Sequence, residues 1–332
     1  MVGSLKLNRY FKKIIIYIAC LATIVVINFF LPRLMPGDPV YNLSGVSDTV
    51  LSSEGYEALR EELGLNSPLL VQFGNYIKGI FTWDLGWSYH NKQAVSAMIG
   101  SRIGNTLQIA IPSIIIATIL ALVFGLKNGY HQKSGDKTVN FFSIIMLSLP
   151  AFFIALILVY LLAFKLRWLP LGSLNSIVPP NNKFLWVLDR VYHLILPVTT
   201  VALSSFASKY IMMRNLTANE KNTPYIFYAR AKGLTKNRIL YKHILPNIAI
   251  PFITIVGMNF AFVLSGSMVV ETIFSIQGMG ALVYTAIQQM DFALMQGCLW
   301  ISALCACIVC FVCDVICIVF DARLKERASY EN

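Results

Sequence analysis

The chain has 332 residues, 57% hydrophobic and only 13% charged, with a mean hydropathy of +0.65. A soluble domain sits near half apolar and a quarter charged, so this composition excludes the soluble classes and points to an all-α polytopic membrane protein. The formal charge of +11 fits contact with anionic lipid and makes nucleic acid a poor explanation.

Six apolar runs, near 12–31, 104–126, 139–163, 193–213, 247–270 and 293–320, approach or exceed the roughly 20 residues that cross about 30 Å of hydrocarbon. The first, IIIYIACLATIVVINFFL, follows a basic stretch. It is longer than a signal-peptide core, and Leu31-Pro32-Arg33-Leu34-Met35 stands where a small-x-small cleavage site is needed, so it reads as an uncleaved span. The loop 32–103 is the longest soluble piece. It opens with the rigid turn Pro36-Gly37-Asp38-Pro39 and continues into a short amphipathic helix, Glu54 to Leu63, ended by Gly64. The run VQFGNYIKGIFTWDLGWSY then supplies Phe73, Tyr76, Phe81, Trp83, Trp87 and Tyr89. These read as a re-entering amphipathic helix at headgroup level, with a docking surface for an external partner as the other reading.

Orientation follows from the lysines and arginines. With the N-terminus inside, inner segments hold 18 of the 27 basic residues: four before the first span, Lys127, Lys133 and Lys137 after the second, eight from Lys209 to Lys242, and Arg323, Lys325 and Arg327. Both termini are therefore expected in the cytoplasm. The chain divides into 1–103 (first span and outer loop), 104–320 (a five-helix core containing a basic loop at 214–246) and a cytoplasmic tail at 321–332.

Ionisable groups within or beside spans are few: Arg102, His193, Glu271, Asp291 and Asp314. Asp314 is expected to pair with a basic group on another helix, because an isolated charge there is costly. A proton- or sodium-coupled carrier needs more mid-membrane carboxylates, so a stand-alone carrier or channel is the distant alternative. Cys310, Cys313 and Cys317 share a face of the last span, but no histidine accompanies them. They read as small residues that let helices approach, and no metal site is expected. The chain lacks GxxxxGK[ST], HExxH and GxSxG, and its four histidines are dispersed. No catalytic residue is expected, and any energy source lies on another protein.

Between the fourth and fifth spans lies YIFYARAKGLTKNRILYKHILPN, Tyr225 to Asn247, a basic helical segment jointed at Gly233. ARAKGL at 229–234 followed by HILPN at 243–247 resembles the EAA loop of binding-protein-dependent ABC importer permeases. That pattern is glutamate-alanine-alanine, three residues, glycine, nine residues, then isoleucine-x-leucine-proline. Ala229, Gly233, Leu245 and Pro246 match it. Phe227 stands at the acid, Tyr228 at the first alanine and His243 at the isoleucine.

The ARAKGL form is similar to the dipeptide, oligopeptide and nickel branch. So are PGDP, LGLNSPLLVQF at 63–73, DLGWSY at 84–89, RIGNTLQIAI at 102–111, HLILPVTTVAL at 193–203 and SGSMVVETIFSIQGMG at 265–280. PGDP is similar to the first of that branch's two paired permeases.

The resemblance implies six transmembrane helices of the type I importer kind. It implies a coupling loop carried by Tyr225, Tyr228, Ala229, Arg230, Ala231, Lys232, Gly233, Leu234, Leu245 and Pro246. In that picture the first helix of the loop docks into a groove on an ATP-binding subunit, with Tyr225, Tyr228 and Ala229 sharing a face with Lys232, and Pro246 stops the second helix. Candidate pathway-lining residues are Ser204, Ser205, Asn259, Ser265 and Ser267, which also suit helix packing. The outer gate region is read at Glu271, Gly278, Gly280 and Asp291. Implied partners are a homologous second permease, two ATP-binding subunits carrying ATP and Mg, and an extracytoplasmic solute-binding protein, at a bacterial or archaeal cell membrane. The expected cargo is di- or oligopeptides, with nickel or a metallophore as the alternative.

Overall fold

The computed structural model describes residues 2–34, 38, 40–41, 52–62, 64–131 and 134–320. The described side chains exclude those of 2–9, 134–135, 262, 264–267 and 320. The tail 321–332, Pro36, Gly37, Pro39, Leu63, Lys133 and the side chains of Ser265 and Ser267 therefore lie outside the described residues.

Helix α1 (Val2–Leu34) is followed by α2 (Ser53–Glu62), α3 (Leu69–Thr82) and a two-strand stub, β1 (Trp87–Ser88) with β2 (Gln93–Ala94). Then come α4 (Val95–His131), α5 (Ser134–Ser148), α6 (Ala151–Leu158, prolonged by a π turn, Val159–Lys165) and α7 (Lys183–Glu220). After α7 stand α8 (Pro224–Ala231), the short α9 (Lys236–Arg238) with a π turn at Ile239–Ile244, α10 (Leu245–Ile273), α11 (Met279–Gln288) and α12 (Phe292–Phe320). Helices exceed the apolar runs because hydropathy marks only the lipid-facing stretch. The 37 residues of α4 extend about 55 Å at 1.5 Å per residue. The stub is the one departure from an all-helical reading among the described residues; Lys92, at φ +51°, closes its turn.

Contacts set the order of crossings. α4 and α7 run parallel: Arg190 Nε donates to Gln108 Oε1 (2.8 Å) at one end, Ser113 Oγ to the Val198 carbonyl (3.1 Å) near the middle, and Gly129 abuts Thr217 at the other end. The chain must therefore cross back between them. α5 and α6 do this, because Asp136 meets Arg214 on one side while Tyr192 donates to the Trp168 carbonyl (2.7 Å) on the other. α1 and α12 are antiparallel, tied by Lys13–Asp314 (2.7 Å) and by Asn28 Nδ2 donating to the Gln296 carbonyl (3.2 Å). Together with α10 the described residues hold five helices long and apolar enough to cross a membrane, and six crossings when the bent α5–α6 pair is taken as one span. The start of α1, the segment 221–247 and the end of α12 share one side.

The third crossing corrects the expectation of one continuous run at 139–163. Its halves, Asp136–Ser148 and Ala151–Lys165, meet at 108°. Pro150 sits at φ −61°, ψ 147°, and a proline ring forces the preceding residue out of the helical region, so the helix breaks at Leu149. In the outer segment α2 ends at Gly64 (φ +66°) as its sequence indicates, and Tyr56 donates to Asp38 Oδ2 at 2.8 Å. α3 packs Phe73 edge to face and Tyr76 tilted against Phe29 of α1 and leaves Leu69, Leu70 and Phe81 exposed, the amphipathic helix expected there.

The α4–α7 seam rests on Gly125 and Gly129, one turn apart. A Cβ on Gly125 would lie 2.7 Å from Met213 Cβ, and one on Gly129 would lie 2.8 Å from Thr217 Cβ and collide with the Arg214 carbonyl. Small residues at this spacing let membrane helices touch backbone to backbone. Gly129→Val is expected to lower stability by about 1–3 kcal/mol through overpacking, visible as a lower thermal midpoint of the purified chain. Gly100→Ala on the same helix meets no described atom within 4 Å and should not lower the midpoint, and should raise it slightly because alanine favours the helix.

Candidate functional site

α7 continues past the apolar stretch, and the chain then turns through Lys221–Thr223 into α8. Pro224 occupies the first turn of α8, where its missing N–H is no loss and its fixed φ suits the helix. The helix ends in a Schellman closure: Gly233 N–H donates to the Arg230 carbonyl (2.9 Å) and Leu234 N–H to the Ala229 carbonyl (3.2 Å). Gly233 has φ +74°, and a Cβ there would meet nothing within 4 Å. Glycine is needed for the left-handed backbone and not for space.

Two expectations are corrected here. Pro246 does not stop the second helix. It lies in the first turn of α10, and residues from Lys236 onward stay helical because the π turn at Ile239–Ile244 reroutes the backbone bonds around the missing donor. Nor does Ala229 share an outward face with Tyr225 and Tyr228. It is buried with Ile226, Ile239, Leu240 and Ile244 against Leu126, Tyr130, Tyr210 and Met213. Residues three apart line one face of a helix, so Ile226 and Ala229 form the inward stripe of α8. The outward face carries Tyr225, Phe227, Tyr228, Ala231 and Lys232, all exposed.

The elbow formed by α8, α9 and the π turn is tied to both long helices. Tyr225 donates to Glu220 Oε1 at the end of α7 (2.5 Å) and accepts from Asn247 Nδ2 at the start of α10 (2.7 Å). Partial burial, and next the Glu220 carboxylate, hold the Tyr225 hydroxyl above the ordinary tyrosine range, so it stays a donor. The Arg230 guanidinium lies 5.4 Å above the Tyr130 ring. Beneath the elbow, Arg214 grips Asp136 with two bonds of 2.6 Å, and Tyr210 adds a third at 3.1 Å. This bidentate clamp escapes a sequence reading, since nothing in the spacing pairs positions 136 and 214. Lys209, expected among the inner-surface cations, is instead buried within α7.

On the opposite side the structure joins three of the four outer gate candidates. Glu271, fully buried, accepts from Thr106 Oγ1 (2.7 Å) and from the Ala281 N–H (2.9 Å) in the first turn of α11. Thr106 Oγ1 in turn accepts from the Met279 N–H at 2.7 Å. The carboxylate thus sits at a helix N-terminus, where backbone donors and the helix dipole favour negative charge. Gly278 and Gly280 leave room for it: a Cβ on Gly278 would lie 2.5 Å from Glu271 Cδ, and one on Gly280 2.5 Å from Met268 Cα. Thr106 lies 165 residues from Glu271 and was not legible as its partner.

Asp291 stands apart from this knot. It caps α12 by accepting from the Leu294 N–H (3.0 Å), and it accepts a short bond from Ser88 Oγ. Asp314 pairs with Lys13 and accepts from Tyr17 at 2.9 Å, the cross-helix pairing expected of it.

Of the pathway candidates, Ser205 is buried and lines no open surface here; its hydroxyl donates to the Ala202 carbonyl (3.3 Å). Ser204 and Asn259 are half-buried and donate to Val201 (3.0 Å) and Ile255 (2.8 Å) of their own helices. The cysteines stand where α12 approaches α10: a Cβ on Gly257 would lie 3.0 Å from Cys313, and Cys310 donates to the Gly257 carbonyl at 3.6 Å.

Residues 113–326, a span holding the elbow and Glu271, match the family described as the inner membrane component of binding-protein-dependent transport systems. Residues 6–110 match the companion family for its N-terminal part. The chain belongs to this permease family. It is 32% identical over 316 residues to the oligopeptide transport system permease protein AppB of Bacillus subtilis, covering 95% of this chain and 98% of that protein. It is 30% identical over 318 residues to a probable peptide ABC transporter permease of Sinorhizobium fredii and 28% identical over 329 residues to the dipeptide permease DppB of Alkalihalophilus pseudofirmus, each match covering 95% of this chain and 98% of the relative. The permease is thus a membrane-spanning subunit of a binding-protein-dependent importer.

Proposed function

We propose that this permease forms one half of the pore of an ATP-driven peptide importer, and that its elbow is the part an ATP-binding subunit grips. The observation that carries this reading is mechanical. The elbow is bonded to the ends of α7 and α10 at once through Tyr225, while its outward face is uncovered. A partner moving that face shifts two crossings together, which is what a two-state change between inward- and outward-facing packing requires. Ser204 on α7 and Asn259, Ser265 and Ser267 on α10 lie on those two helices.

In this reading the side shared by the elbow, the start of α1 and the end of α12 is the cytoplasm of a bacterium, consistent with its basic residues. The knot around Glu271 and the Asp291 cap then face outward, where a solute-binding protein delivers cargo. A second permease completes the pore, and two ATP-binding subunits hold the ATP and Mg. Peptides are supported by the names of the relatives. The test is a binding screen on the solute-binding protein that serves this permease. Di- or oligopeptides should bind with micromolar or better affinity, and a protein that binds nickel ion and no peptide would overturn the cargo assignment.

A further inference from the structure

The outward face of the elbow has its own chemistry. Phe227 and Tyr228 are 68% and 65% exposed, with ring centroids 6.0 Å apart and edge to face. Tyr225 and Tyr241 add exposed aromatic surface beside them. The helix cannot bury this pair by turning, because Ile226 and Ala229 already hold its opposite stripe in the core. Large exposed aromatic knobs on a rigid element are the usual anchors of protein interfaces, where they fill desolvated pockets. Around them the segment 221–247 carries six Lys or Arg and no Asp or Glu. Arg230, Lys232, Lys236, Arg238 and Lys242 are all exposed.

We infer that the partner's groove has an apolar floor that takes the Phe227 and Tyr228 rings, and a carboxylate-bearing rim that faces Lys232, Lys236 and Arg238. The inference rests on the reading of the elbow as the ATPase-docking element and adds what that ATPase must present. Phe227 occupies the position where the family pattern has an acid, so the anchor here is apolar and the acids lie on the partner. Charge complementarity then steers and registers docking, and burial of the rings holds it.

The test uses the complete transporter, with both permeases and both ATPases co-expressed and purified through a tag on this chain, and scores as retained only the ATPase that crosslinks to this chain, since the second permease holds the other. Phe227→Leu should retain the ATPases, whereas Phe227→Glu should lower the retained ATPase at least tenfold. Lys236→Glu with Arg238→Glu should weaken retention severalfold at 50 mM salt, with the difference from wild type shrinking at 500 mM as charges are screened. Full retention by Phe227→Glu overturns the apolar anchor. Unchanged retention by the charge-reversed variant overturns the acidic rim. Replacing all of 225–242 by a glycine–serine linker separates this from the underlying reading: if the ATPases still bind that variant, the elbow is not the docking element at all.

Discussion

Replacing Gly233 with aspartate should abolish uptake while the chain still inserts and folds. The left-handed backbone at φ +74° costs an ordinary residue roughly 1–2 kcal/mol, and aspartate tolerates it better than most. Among the described residues, none beyond its chain neighbours lies within 4 Å of the added Cβ. Native stabilities of about 5–15 kcal/mol absorb such a strain. On the proposed reading of the elbow, the loss of function arises at the partner surface, where the aspartate adds a negative charge to a basic segment. Membrane abundance measured by immunoblot should match wild type, while peptide uptake falls below about a tenth. Retained uptake with coupled ATP hydrolysis would remove the elbow from the mechanism.

Glu271→Ala should have the larger effect on the fold itself. Glu271, in a fully buried site, accepts from Thr106 and from the Ala281 N–H among its contacts, and bonds to a charged group contribute about 1.5–3 kcal/mol each. Losing both, and leaving the Ala281 N–H and the Thr106 hydroxyl to find new partners, is expected to cost about 3–5 kcal/mol. That is a large share of any domain's stability. Glu271→Gln should recover part of the loss, since one amide oxygen can still accept but the NH₂ faces a second donor. Thermal unfolding of the purified chain reads both, with the midpoint order wild type, then Gln, then Ala. A midpoint for Ala equal to wild type contradicts the knot described around α11.

What the sequence made legible is local. Hydropathy found the candidate spans, five of them continuous and the third a bent pair, and the ARAKGL–HILPN pattern located the elbow. Gly233 announced a special backbone because only glycine is routine at positive φ. Where a residue's role depends on what packs against it, the reading failed. Ala229 matched the family pattern, yet its direction is decided by Leu126 and Tyr130, about a hundred residues away in the chain. Pro246 reads as a helix stop until the π turn before it is seen. Pro150 was present in the third run, but the size of its consequence, a bend of 108°, is not written in the spacing, since a proline break fixes where a helix stops and not the direction in which the chain resumes. Thr106 with Glu271, and Asp136 with Arg214, are pairings of distant positions that no periodicity encodes.

The most direct test is uptake of a labelled peptide into sealed vesicles reconstituted with purified components. Vesicles holding both permeases and both ATPases, with ATP on the ATPase side and the solute-binding protein on the other, should accumulate peptide above its external concentration. Vesicles with this chain alone, or with ATPases unable to hydrolyse ATP, should show no accumulation. Accumulation by this chain without any ATPase would contradict the account.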